Sequence, residues 1–131
     1  MSKLIDGFHH VAIKARDFDA SVRFYTALGM KEKIRWGEGD KRAIMLDTGD
    51  GNYIEIFAGG NADQPQAGWF HIALRSDDVD AITAVALKAG ASIFVEPKDV
   101  TLQSKPPTPI RIAFVKGPDG ETVEFFQNEM T

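Results

Sequence analysis

Two stretches of this chain follow one plan. From His10 it reads HVAIKARDFDASVRFYTALG, and from His71 it reads HIALRSDDVDAITAVALKAG. In each, an Asp stands seven positions after the His (Asp17, Asp78) and a Gly nineteen positions after it (Gly29, Gly90), with no gap. Each copy closes on a second matching phrase, DGNYIEIF ending at Phe57 and DGETVEFF ending at Phe126. In both closing phrases a Glu follows the Gly by four residues, Glu55 and Glu124. Duplication constrains architecture more than composition does. A copy of roughly 50 residues is near the lower limit for burying a core of its own. The copies must therefore pack on each other or on another subunit.

Periodicity gives each copy its elements. Residues 8–14 alternate, with Phe8, His10, Ala12 and Lys14 on one face and His9, Val11 and Ile13 on the other. Residues 70–75 alternate likewise, placing His71, Ala73 and Arg75 opposite Phe70, Ile72 and Leu74. A helix follows each strand. Asp17 is the expected N-cap of the first, whose apolar stripe is Phe18, Val22 and Tyr25, extended by Phe24 and Leu28. Asp78 opens the second, with Val79, Ile82, Val85, Ala86 and Ala89 at helical spacing. Gly29 and Gly90 read as the glycines that end the helices. Three more strands fit after each helix, near 30–36, 42–47 and 52–57, then 91–96, 110–115 and 121–126. Asp50-Gly51 and Asp119-Gly120 are turn signals before the last strand of each copy. The expected fold is α+β: a single domain over 1–131 made of two tandem βαβββ modules, 8–57 and 69–126, joined by a linker at 58–68, with curved mixed sheets around a cleft. The copies differ most at 97–109, which holds four of the six prolines and reads as a long irregular loop, either a lid or a surface excursion.

Strand parity selects the chemistry. Tyr53, Glu55 and Phe57 share a face opposite Ile54 and Ile56, and Thr122, Glu124 and Phe126 share a face opposite Val123 and Phe125. His10, His71, Glu55 and Glu124 thus lie on the faces that the helices leave open. Two imidazoles and two carboxylates converging in a cleft suit a divalent metal of intermediate softness. The plainer alternative is four separately satisfied polar side chains. His9 has the opposite parity, and its counterpart in the second copy is Phe70, so it reads as structural or as a group behind the ligands. Phe8, Tyr53, Phe57, Trp69 and Phe126 have the ligands' parity and either line an apolar pocket or fill the cleft as core.

Composition excludes several classes. The net charge of −4 offers no footprint for nucleic acid, and the absence of Cys rules out disulfides and thiol catalysis. No apolar run approaches a membrane span, and MSKLID has no signal-peptide core, so a cytoplasmic protein is expected.

The phrases HHVAIKARD, FHIALRSDD and GPDGETVEF resemble the vicinal oxygen chelate superfamily, in its compact glyoxalase I-like branch, over nearly the whole chain. The resemblance implies paired βαβββ modules and a metal held by His10, Glu55, His71 and Glu124. A short chain of this branch implies Ni²⁺ or Co²⁺, with Zn²⁺ as the other option. It also implies a small-molecule substrate and a homodimer with sites at the interface. The implied reaction is lactoylglutathione lyase-type isomerisation of a thiol–2-oxoaldehyde hemithioacetal through an enediolate. Glu124 is the implied base, and Glu55 a ligand and partner base. Two positions depart from the glutathione-dependent members: Lys14 stands where they have Arg, and Gly59 where they have Asn. Lys105, in the proline-rich segment, offers an anion contact. Three other activities share the fold. Acyl-CoA thioester epimerases usually carry Gln at the position of Glu55. Ring-cleaving dioxygenases need an iron site with two His and one carboxylate, which Glu55 would crowd. Drug-binding relatives typically lack the ligands.

Overall fold

The structure is a computed structural model that describes residues 4–27, 29–61, 63, 69–117, 120 and 122–131, with backbone alone at 69 and 70. The first module runs β1 (Phe8–Lys14), α1 (Phe18–Ala27), β2 (Lys31–Trp36), a 3₁₀ turn (Gly39–Lys41), β3 (Ala43–Asp47) and β4 (Tyr53–Phe57). The second runs β5 (Trp69–Arg75), α2 (Val79–Lys88), β6 (Ser92–Leu102), β7 (Thr108–Lys116) and β8 (Thr122–Gln127). Both modules are βαβββ, as the repeat requires. They join into one curled, mixed, eight-stranded sheet of order β2-β3-β4-β1-β5-β8-β7-β6. The seam is the antiparallel pair β1–β5, and each first strand runs parallel to its module's last strand, β1 to β4 and β5 to β8.

Local signals account for the helices. Ala20 N–H donates to the Asp17 carboxylate at 3.0 Å, and Ala81 N–H to that of Asp78 at 3.0 Å. These side chains satisfy amides that the first turn leaves without partners. Gly29 and Gly90, at φ 105° and 112°, turn the chain away from each helix in a region costly to residues with a Cβ.

Each helix covers the outer face of its own module. Under α1, Phe18, Ile44, Leu46 and Ile56 form one core, joined by Val22 and Tyr25. Under α2, Val79, Ala113, Val115 and Phe125 form a second, joined by Ile82 and Ala86. A third core fills the inner, concave face: Ile34, Met45, Tyr53, Ala73, Ile110, Ile112 and Phe126. Burying residues on both faces is what makes β3 read as a continuous apolar run, with Ala43, Ile44, Met45 and Leu46 all buried. The predicted stripes were too wide, since Phe24 and Val85 are 58% and 50% exposed. Leu28 lies outside the described residues, as do most of the predicted linker and part of the Asp119-Gly120 turn.

The segment 97–109 is not a long irregular loop. Most of it is strand, because β6 continues to Leu102 and β7 begins at Thr108. The β6–β7 hairpin keeps only a short connection, with a cis Lys105–Pro106 bond. Pro97 is tolerated because β6 is an edge strand paired only with β7, and because the register shifts between Val95 and Lys98. An edge strand that is largely exposed lacks the apolar alternation by which strands are read.

Gly37 and Gly51 make a matched test of backbone and packing. Both have φ 81°, but a Cβ on Gly37 would lie 2.0 Å from the Lys41 carbonyl oxygen, whereas one on Gly51 meets nothing within 4 Å. Gly51→Ala should cost only the left-handed penalty of about 1–2 kcal/mol. Gly37→Ala should cost clearly more, as the turn ahead of β3 must also move. Equal urea midpoints for the two variants would contradict the clash.

Candidate metal centre

The four central strands of the sheet each deliver one polar side chain to the concave face: Glu55 from β4, His10 from β1, His71 from β5 and Glu124 from β8. All four are buried. One ligand atom each from His10, Glu55 and His71 lies within 4.8 Å of the others. His10 Nε2 is 2.9 Å from His71 Nε2, and 3.5 and 3.2 Å from the Oε1 atoms of Glu55 and Glu124. His71 Nε2 is 3.7 and 3.0 Å from the same two oxygens. The four candidate ligands therefore meet within one chain and need no second subunit to assemble.

The register shows how the site is left open. In the ladders, Ala12 pairs with both Glu55 and His71, and Ala73 with both His10 and Glu124. The two alanines occupy the same place in the repeat, two residues after each histidine. Residues directly opposite in a ladder stand side by side on one face. A methyl group between ligands leaves the larger side chains room to converge. Parity alone does not reveal this role, although the repeated His-x-Ala spacing carries its signal.

Parity misplaced two neighbours of His10. The β1–β5 register shifts between Phe8 and His10, so that His9 is an extra residue in β1. A β-bulge of this kind re-aims side chains. Phe8 consequently pairs with Leu74, outside the ligand face, and is 41% exposed. His9 turns into the concave side and is fully buried, its ring centroid 4.1 Å from Phe126 and 5.1 Å from Tyr53. A second shift in the pair, between Ala12 and Ile13, leaves Phe70 as the extra residue of β5. The two bulges thus fall at equivalent positions of the repeat.

The electrostatics favour a cation. Burial raises the Glu55 carboxyl above the ordinary carboxylate range; His10 and His71 pull it down, but the charge of Glu124 adds to the rise. Burial also acts to raise Glu124, yet hydrogen bonds from His10 and His71 outweigh it and hold this carboxyl low. Burial disfavours the charged form of His10, but the two carboxylates raise it overall. Two buried carboxylates facing one another across the imidazoles are costly unless a positive charge joins them. The spacing fits such an ion. With bonds of about 2.1 Å, neighbouring ligand atoms are about 3.0 Å apart in an octahedron and about 3.4 Å in a tetrahedron. The contacts above span 2.9–3.7 Å.

The remaining predicted site residues fall in different places. Tyr53 is sealed in the inner core beneath His9. Phe57 is half-buried, its ring 6.2 Å from His71 and 6.3 Å from Trp36. The Trp69 side chain lies outside the described residues. Lys105 lines a cavity of about 650 Å³ with Glu32, Lys33, Ile34, Trp36 and Gln103 among its other walls. The aromatic path Trp36–Phe57–His71 connects this cavity to the ligand cluster. Lys14 and Gly59 prove to be neighbours, since a Cβ on Gly59 would lie 3.6 Å from Lys14 Cε. Gly59 has φ 91°, and its virtual Cβ is 3.0 Å from the Asp40 carbonyl oxygen, so both departures from the glutathione-dependent pattern occur at one spot. Sequence reasoning misses Lys33 and leaves the place of Trp36 open, because β2 is known to face β6–β7 only once the sheet curls.

Among known proteins, the chain is 38% identical to the uncharacterized protein YwbC of Bacillus subtilis, over 97% of this chain and 99% of that one. It is 32% identical to a probable lactoylglutathione lyase of Vibrio cholerae, over 92% of this chain and 89% of the relative. In structure it is similar to a variant of Streptomyces coelicolor methylmalonyl-CoA epimerase in complex with 2-nitronate-propionyl-CoA, with a TM-score of 0.73 and 25% identity, covering 95% of this chain and 98% of that one. No helix among the described residues is long and apolar enough to cross a membrane. The family model matches residues 7–125, nearly the whole repeat, and with the paired βαβββ fold and its buried His/Glu cluster the chain belongs to the Glyoxalase/Bleomycin resistance protein/Dioxygenase superfamily.

Proposed function

We propose that the protein is a metal-dependent isomerase of the glyoxalase I type, converting a thiol–2-oxoaldehyde hemithioacetal to a 2-hydroxy thioester. The observation that carries this reading is the complete set of His10, Glu55, His71 and Glu124, buried together on the concave face of the sheet. Similarity to a probable lactoylglutathione lyase supports it. The four residues would hold a divalent metal, with Ni²⁺ or Co²⁺ favoured over Zn²⁺. When bound, such a cation supplies stabilisation of negative charge on the oxygens beside the carbon that loses its proton.

The chain's own residues then divide the work. Substrate and product are isomers, so one proton leaves the carbon bearing sulfur and hydroxyl and one arrives at the adjacent carbon. Glu124, held low by the two imidazoles, is ionised and takes the first proton. Glu55, held high, accompanies it as ligand and partner base on the opposite substrate face. Phe57 and Trp36 supply an apolar wall, and Lys33 and Lys105 offer cations to anionic groups of the thiol carrier. Lys14, exposed at the end of β1 beside Gly59, has a point charge in place of a bidentate fork. The same reading takes the protein as a cytoplasmic homodimer, which sedimentation checks.

Lys14 and Gly59 favour one second reading, epimerisation of a branched acyl-CoA by the same proton chemistry, since both glutathione contacts are altered at one place. Glu55 in place of Gln argues against it. One experiment separates them. Chelator-stripped protein is given Ni²⁺, Co²⁺ or Zn²⁺ and assayed for thioester formation from methylglyoxal and glutathione, and for α-proton exchange of a 2-methyl-branched acyl-CoA in D₂O. Stripped protein should be inactive, and Ni²⁺ or Co²⁺ should restore thioester formation. Exchange without thioester formation selects the epimerase, and no reaction with any metal rejects the proposed activity.

A further inference from the structure

We infer that His9 is a positioning residue: with Thr131 and Asn128 it forms a hydrogen-bonded relay that forces the Nδ1–H tautomer on His10 and so aims the His10 Nε2 lone pair into the ligand cluster. The inference rests on the metal reading above and extends it to residues behind the ligands. Each link is geometric. His9 Nδ1 is 2.7 Å from His10 Nδ1, and His9 Nε2 is 2.6 Å from Thr131 Oγ1. Thr131 Oγ1 is in turn 3.0 Å from Asn128 Oδ1.

The direction of the relay follows from its far end. The backbone N–H groups of Met130 and Thr131 donate to Asn128 Oδ1 at 2.8 and 2.7 Å. Two donors on one atom identify it as the amide oxygen, which only accepts. The Thr131 hydroxyl must therefore donate its single proton to Asn128. Toward His9 it can then only accept, so His9 Nε2 carries a proton. His9 is fully buried between the rings of Phe126 and Tyr53, an apolar enclosure that favours the neutral imidazole. A neutral ring protonated at Nε2 has its lone pair at Nδ1. His10 Nδ1 must consequently donate to it, which leaves Nε2 as the His10 nitrogen that can offer a lone pair where it faces His71, Glu55 and Glu124. A ligand histidine whose other nitrogen is engaged is fixed in tautomer and ring orientation.

The bulge makes the relay available. Regular alternation would turn His9 away from the concave face; the extra residue between Phe8 and His10 brings it in behind its neighbour. The second copy has the same bulge at Phe70, which has no ring nitrogen and cannot play toward His71 the part that His9 plays toward His10.

The test is Co²⁺ binding to stripped full-length protein, followed by visible absorption and by hyperfine-shifted proton NMR of the loaded protein. His9→Phe, which places the repeat's own alternative in the same aromatic slot, should weaken Co²⁺ binding about 10–100-fold. It should also speed solvent exchange of the His10 Nδ1–H resonance. His9→Asn, which keeps an acceptor near the Nδ1 position, should recover most of the affinity and slow exchange again. Thr131→Val should fall between wild type and His9→Phe. Circular dichroism reports whether each variant folds, and the His9→Asn comparison decides the matter if His9→Phe does not. Wild-type affinity and unchanged exchange in His9→Phe, or no difference between His9→Asn and His9→Phe, overturns the relay while leaving the metal reading intact. Failure of wild-type protein to bind Co²⁺ overturns both.

Discussion

Glu124→Gln should lower kcat/KM of the Ni²⁺- or Co²⁺-loaded protein by about 10²–10⁴-fold, the range over which a positioned general base contributes. The change is nearly isosteric and keeps an oxygen that can accept a hydrogen bond, while removing the charge proposed to take the proton. Glu124 sits in the middle of β8, between the parallel partner β5 and the antiparallel partner β7, so its backbone is held independently of its side chain. Far-UV circular dichroism should accordingly be unchanged. Glu55→Gln provides the contrast, because it removes the carboxyl that burial and Glu124 already push toward its neutral form. It should cost less activity than Glu124→Gln and should retain metal. Losses of equal size would mean that both carboxylates transfer protons in turn. Wild-type turnover in Glu124→Gln would remove it from the role of base.

Much of this arrangement was legible in the sequence, for reasons that particular residues make clear. The repeat located the strands carrying His10, Glu55, His71 and Glu124, because a duplicated module keeps chain direction and spacing within one sequence. Parity held on β4 and β8, where Tyr53/Glu55 and Glu124/Phe126 face the cleft and Ile54, Ile56 and Phe125 face the helices. It failed at Phe8 and His9, because one inserted residue breaks the period-2 rule and nothing in the string HHVAI marks the insertion. The long β6–β7 hairpin was also hidden, since an exposed edge strand containing Pro97 carries neither alternation nor β-propensity. The Trp36–Lys105 cavity depends on the two ends of the sheet approaching each other, a property of curl that no local pattern encodes.

Ala73→Leu should abolish high-affinity metal binding although Ala73 is neither a ligand nor a charged residue. Its methyl group stands between His10 and Glu124 in adjacent ladders and is completely buried. Leu at this place adds three carbon atoms on the ligand face, where Phe126, Tyr53 and Ile112 already fill the surrounding core. Overpacking a filled core costs about 1–3 kcal/mol. For a domain of this size that lowers the melting temperature by several degrees. The larger effect is on geometry: to admit the new side chain, the His10 or Glu124 side chain must swing away, and contacts now 3.2 Å apart must open. Metal-induced stabilisation measures this directly, since a ligand at about 1,000 times its Kd adds about 4 kcal/mol to the folded state. Wild-type protein should show a large rise in melting temperature with Ni²⁺ or Co²⁺, and Ala73→Leu almost none. Ile72→Leu, one residue away on the opposite face and 46% exposed, should keep the full rise. A metal response in Ala73→Leu equal to that of wild type would mean that the alanine leaves more room than the register implies, and that convergence of the four ligands does not depend on it.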